Sequence, residues 1–251
     1  MSSVNNPAQN DFVQTYVTPP AAAYLAIIPA FYGLQVKSEL QSGNPRPKFN
    51  FFEVLKTGST KVAPTAGLVV GSQLVAQNFV EKNLFSGKKR LDSKEKATST
   101  VATALVTSPF LACLNGTTMG KSLSSSLRSM TFKQVSVITC RETAFLGGLA
   151  AADPLSEAAK KYYCEGKRGK DQTTNAVVEY GSAYVGGLMG SVCGHFFDTA
   201  LTRYQKNLPV TWSFHQLRQG MGWRAFLGVG VFSVAYKFAT NQLKTASEQL
   251  H

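Results

Sequence analysis

The run Phe196-Phe197-Asp198-Thr199-Ala200-Leu201-Thr202-Arg203-Tyr204-Gln205 decides how this chain is read. Upstream of it, residues 181–197 contain no Asp, Glu, Lys or Arg. An acid, a base and an amide then arrive together at the end of a long apolar stretch. A helix leaving an apolar environment has this composition. Residues 174–205 are therefore predicted to form one long helix. Glycines 186, 190 and 194 stand four apart along it, a spacing that lets another helix backbone approach closely.

Working outward, five more segments of similar character appear: residues 20–41, 63–84, 97–120, 134–158 and 224–247. A spanning helix needs about 20 mostly apolar residues, and each segment is long enough. Each also carries Ser, Thr, Gln and Gly, and mean hydropathy over the chain is near zero. That mixture suits helices with one face on lipid and the other on a water-filled cavity. Small residues recur at four-residue spacing in other segments: Gly67 with Gly71, Gly148 with Ala152, Ala235 with Ala239. Two short stretches, residues 49–56 and 212–218, join aromatics to charges over about two turns, as helices lying in a membrane interface do.

Lys plus Arg number 26 against 14 acids, a formal net charge of +12. An excess of this size points to nucleic acid, an anionic membrane surface or anionic solutes. Neither a zinc-finger spacing nor an aromatic-studded basic strand supports nucleic acid. The basic runs Lys88-Lys89-Arg90, Lys160-Lys161 and Lys167-Arg168 with Lys170 fall between apolar segments, which is a membrane pattern. Cys113, Cys140, Cys164 and Cys193 are too far apart for a local ligand or redox pair, and the three histidines do not cluster. No metal, no cofactor and no enzymatic centre is expected. Residues 1–19 read as a polar N-terminal tail without a secretory signal.

The segments form three pairs: residues 20–90, 91–170 and 171–251. Segments one, three and five each reach a helix-disturbing point, at Pro29, Pro109 and Phe196, before a polar end. The run 196–205 resembles the signature that closes odd-numbered helices of mitochondrial carriers, with Asp198, Arg203 and Gln205 in register and Phe196 where the family has Pro. Residues 222–230 look like that family's link into an even helix, and Arg141-Glu142 like the charged pair of its fourth helix. The resemblance implies an all-α membrane protein. Six transmembrane helices would form three pseudo-repeats of helix, interfacial helix and helix. It also implies a monomer in the mitochondrial inner membrane, with anionic lipid such as cardiolipin as a fitting partner, one central solute site and alternating access. The degenerate repeats fit an outlying member delivered to host mitochondria by an intracellular pathogen.

In that family, acids and bases of the three signatures pair and shut one mouth. With Pro29, Pro109 and Phe196 equivalent, the acid slots hold Phe31, Leu111 and Asp198, and the base slots Leu34, Leu114 and Leu201. Closure on leucines is then expected, with Arg203 or Lys37 as substitute partner for Asp198 and with one-way transport permitted. The other register makes Lys37 the gate residue and Gln41 the end of the motif. Arg141 beside Glu142, in the middle of segment four, is the leading solute contact, since an Arg clamps phosphate or carboxylate bidentately. Tyr180 and Tyr184, with Tyr24, are candidates for stacking on a base. The expected function is transport of a small anionic metabolite, a nucleotide such as ATP or ADP. The alternatives are an amino-acid or carboxylate carrier and a non-transporting carrier-like membrane protein.

Overall fold

The computed structural model describes residues 12–85, 91–118, 123–164 and 172–249. Among them the chain is all-helical. A π-helical turn, Val13–Val17, leads into α1 (Thr18–Gln41); α2 (Phe51–Thr57) and a second π-helical turn, Gly58–Val62, lead into α3 (Ala63–Leu84). Then come α4 (Ser93–Thr118), α5 (Leu123–Arg128) and α6 (Phe132–Cys164). Last are α7 (Gln172–Gln205), α8 (Phe214–Leu217), a π-helical segment, Trp223–Gly230, and α9 (Val231–Gln249). The order is long, short, long, three times over.

Local chemistry sets the ends. Asn50 caps α2, accepting from the Glu53 amide at 3.3 Å, and Ser213 caps α8, accepting from the Gln216 amide at 3.4 Å. Asp92 with Glu95, and Thr131 with Gln134, form reciprocal capping boxes where α4 and α6 begin. α1 and α7 share one C-terminal closure. Asn44 N–H donates to the Glu39 carbonyl at 3.0 Å, and Leu208 N–H to the Arg203 carbonyl at 2.8 Å. Gly43 (φ 82) and Asn207 (φ 54) take the left-handed turn between them. The two helices therefore superimpose with Gln41 on Gln205, and Lys37 falls on Leu201.

The predicted segments correspond to the six long helical stretches, with two corrections. Residues 12–19 are helical and continuous with α1 rather than part of a polar tail; residues 1–11 lie outside the described residues. α6 runs on to Cys164, because Ala158-Ala159-Lys160-Lys161 are good helix formers that carry it past Pro154. The basic runs at 88–90 and 167–170 lie outside the described residues.

The long helices pack in a closed ring. α1 lies on α3, α3 on α4, α4 on α6, α6 on α7, α7 on α9, and α9 back on α1. The predicted small-residue contacts form here. A Cβ on Gly148 would lie 2.6 Å from the Gly186 carbonyl oxygen and 2.6 Å from Gly190 Cα, so α6 and α7 meet backbone to backbone. On α3, Gly67 and Gly71 face Pro20 of α1 in the same way. Gly147, next to Gly148, faces open space. Gly148→Ala is therefore expected to destabilise the fold by about 1–3 kcal/mol, while Gly147→Ala, exposed in mid-helix, is expected to stabilise it by about 0.5–1 kcal/mol. Thermal unfolding of the two variants in detergent checks this.

Burial is inverted. α4 hides Ser99, Thr100, Thr103, Thr107 and Ser108, and turns Val101, Leu105, Val106 and Phe110 outward. Ser99 donates to Glu81 of α3 at 2.9 Å, and Ser108 accepts from Thr139 of α6 at 2.9 Å. On α7, Val177, Val185, Met189 and Val192 are exposed while Ser191, His195, Asp198 and Thr202 are buried. Two stretches, Val13–Gln41 and Phe132–Tyr162, are long and apolar enough to cross a bilayer. The polar inner stripes of the other long helices lower their mean hydropathy below that level.

Candidate functional site

The buried face of α7 carries Ser191, His195, Asp198, Thr199, Thr202 and Gln205 at successive turns. Asp198 is the focus. Lys37 of α1 donates to its Oδ2 at 2.7 Å and Gln41 to the same oxygen at 3.1 Å. Arg141 of α6 reaches Oδ1 at 3.4 Å, and the Arg224 Nε from the segment before α9 lies 3.9 Å from Oδ2. Gln41 also donates to Thr199 at 2.8 Å and accepts from Thr202 at 3.0 Å. Gly220 (φ +75) passes against the Lys37 backbone, where a Cβ would lie 2.9 Å from Lys37 Cα.

A second carboxylate completes the cluster. Glu142 accepts from Arg141 Nε at 2.6 Å and from Gln73 of α3 at 2.5 Å, and also pairs with the Arg141 Nη2. Arg224 donates Nη1 to the Ser191 carbonyl at 3.0 Å. Lys37, Arg141 and Arg224 thus face two carboxylates, Glu142 and Asp198, in the middle of the ring. Among the described residues one positive charge of this cluster is unmatched. A buried, unmatched cation is costly, which marks a place where an anion is expected to bind.

The structure brings together Lys37, Arg141, Glu142 and Asp198. It does so in the register that ends the first motif at Gln41, as the shared α1 and α7 caps require, and not in the register built on Pro29. Arg203 goes elsewhere, donating to the Pro209 carbonyl at 2.8 Å and the Gln41 carbonyl at 3.3 Å. Gln205 donates to the Ala112 carbonyl of α4 at 3.1 Å. The expected leucine closure is not formed by Leu34 and Leu201. Leu34 packs with Ala26, Ala30 and Phe232, whereas Leu201 packs with Leu111, Val137 and Ile138. The Leu114 side chain lies outside the described residues.

The tyrosines stand apart from this cluster. Tyr180 packs its ring on Phe238 and Tyr184 donates to the Phe226 carbonyl, so both serve the contact of α7 with α9 and the segment before it. Tyr24 lines an open apolar groove of about 560 Å³ with Pro20, Leu25 and Leu68. Sequence reasoning missed Arg224, although a signal existed: it is the only charge between Arg218 and Lys237. It also missed Gln73, whose partner lies on another helix.

A second ionic group sits toward the other end of α7. Lys237 of α9 lies 3.1 Å from Asp153 of α6 and 3.5 Å from Glu179 of α7, and Asn241 donates to Glu179 at 3.1 Å. At 1.5 Å per residue, Glu179 and Asp198 are about 28 Å apart along α7, close to the thickness of a hydrocarbon core. No protein-family model and no curated protein matches the chain.

Proposed function

We propose that this chain is a diverged, carrier-like membrane protein that moves a small anionic metabolite by alternating access, with the mitochondrial inner membrane as its site. One observation carries the reading: charged and polar side chains occupy the centre of a helical ring whose outer surface is apolar, and the centre holds one cation too many. A core helix of a soluble protein is mostly buried, yet only 28% of the most apolar window of Phe132–Tyr162 is. The threefold long–short–long order, and the identical caps of α1 and α7, support three pseudo-repeats. Exposed Phe51, Phe52, Trp212 and Phe214 on and beside α2 and α8 suit interfacial helices. Two ionic groups a membrane thickness apart supply a closure on each side.

The solute is a small anion. The nucleotide reading rests on the basic excess and on stacking tyrosines, and of these Tyr180 and Tyr184 are engaged with α9 and the segment before it. A single surplus cation and the Arg141–Glu142 pair favour a carboxylate or amino acid. Because the closure includes the Lys37–Asp198 ion pair, exchange is favoured over one-way transport.

Carbonate extraction of mitochondria containing the protein is expected to leave it in the pellet; release to the supernatant overturns the membrane reading. Proteoliposomes loaded with counter-solute are expected to take up labelled anion faster than empty ones. ATP, an amino acid and a dicarboxylate are the solutes to compare. If none enters above protein-free liposomes, transport is excluded.

A further inference from the structure

Arg224 is the least engaged cation of the central cluster. Arg141 gives three nitrogens to Glu142 and Asp198, and Lys37 sits at hydrogen-bond distance from Asp198. Arg224 gives one N–H to the Ser191 carbonyl, while its Nε stands 3.9 Å from Asp198, beyond a hydrogen bond. A guanidinium has five donors, and burial makes unused ones expensive. Arg224 is only 5% exposed.

Two more buried atoms next to it on α7 lack a hydrogen-bond partner among the described residues: the Ser191 hydroxyl and His195 Nδ1. Both residues are fully buried, one helical turn apart on the face that meets Arg224. The chemistry of each is definite. His195 Nε2 lies 3.0 Å from the Gln219 carbonyl, which can only accept, so Nε2 carries the hydrogen. In the neutral ring Nδ1 is then an acceptor. The Ser191 hydroxyl and the guanidinium are donors. Two donors with a positive charge, and one acceptor a turn away, fit a carboxylate that carries a hydrogen-bond donor of its own.

We infer that Arg224, Ser191 and His195 form the solute subsite, and that the solute is a hydroxy- or amino-substituted carboxylate. The carboxylate pairs with Arg224 and the Ser191 hydroxyl; the substituent hydroxyl or amino group donates to His195 Nδ1. This rests on the transport reading above and names its substrate class. Because all three residues are shielded in this conformation, the subsite fills only as Lys37 and Asp198 part. A carboxylate on Arg224 takes over an interaction that Asp198 now holds, so binding the solute and loosening the closure become one event.

Matched solutes test this. Malate differs from succinate by one hydroxyl, and glutamate from glutarate by one amino group. Full-length protein in preloaded proteoliposomes is expected to prefer the substituted member of at least one pair by about tenfold or more, because a buried acceptor left unpaired penalises the bare analogue. His195→Leu should bring that ratio close to one, and His195→Asn, which keeps an acceptor, should restore part of it. Arg224→Gln should lose uptake of both members. Arg224→Gln with Glu142→Gln restores the cluster's net charge without the contact and should remain inactive.

Wild-type uptake that treats both members of each pair alike overturns the subsite while leaving anion transport standing. So does a His195→Leu variant that keeps the wild-type ratio, or an active Arg224→Gln/Glu142→Gln variant. Absence of uptake for all four acids and for ATP overturns the transport reading and the subsite with it.

Discussion

Asp198→Asn is expected to leave little folded protein. Lys37, Arg141, Gln41 and Arg224 all converge on this carboxylate from three other parts of the ring. Neutralising it leaves three buried cations against Glu142 alone. Removing one partner of a buried ion pair typically costs about 3–5 kcal/mol, because the other charge stays buried. Here more than one charge is stranded, so the upper part of that range applies. Asp198→Asn combined with Lys37→Gln returns the surplus to a single charge and should recover more than half of the loss. The double variant thereby separates charge imbalance from lost hydrogen bonds. Thermal unfolding of purified protein in detergent reads both. An Asp198→Asn protein as stable as wild type would mean that the cluster does not hold the ring.

Arg141→Ala should abolish uptake while insertion into the membrane persists. Among the described residues its guanidinium alone hydrogen-bonds to both carboxylates, so its removal does two things. It makes the cluster electrically neutral, which removes the attraction for an anion. It also leaves Glu142 held by Gln73 alone. Arg141→Ala with Glu142→Gln restores the single surplus charge and should regain measurable uptake if charge is the main requirement. Uptake by Arg141→Ala within twofold of wild type, in liposomes holding equal amounts of protein, would exclude it from the transport path.

What was legible in the sequence followed from local pattern. The C-terminal end of α3 is legible because the polar Glu81-Lys82-Asn83 marks it, whereas its N-terminal side runs on without a break through the π-turn into α2. The glycine contacts were legible because four-residue spacing puts small residues on one helix face. The register of the first motif was not. Pro29 draws the eye, but a proline inside a helix marks no fixed position relative to its end. The cap does, and a cap is read from hydrogen bonds that only the folded chain displays. Arg224 was hidden for a related reason: its value lies in contacts with α7, which no spacing within its own segment reveals. The tyrosines misled because an aromatic at helical spacing packs against a neighbouring helix as readily as it lines a cavity.

The convergence on α7 has a mechanical consequence. The polar fastenings described at its C-terminal end run from α7 to α1 through Lys37 and Gln41, to α4 through Gln205, to α6 through Arg141 and to the segment before α9 through Arg224. One helix is thus the common latch. An aperture held by three equal fasteners widens evenly, like an iris. Under the transport reading, one held through a single shared member is expected to open like a door, with α7 swinging and its seam with α1 parting. The contact between α6 and α7, backbone to backbone at Gly148, Gly186 and Gly190 and tied by Arg141 to Asp198, is the seam expected to stay closed and so to act as the hinge line of such a swing.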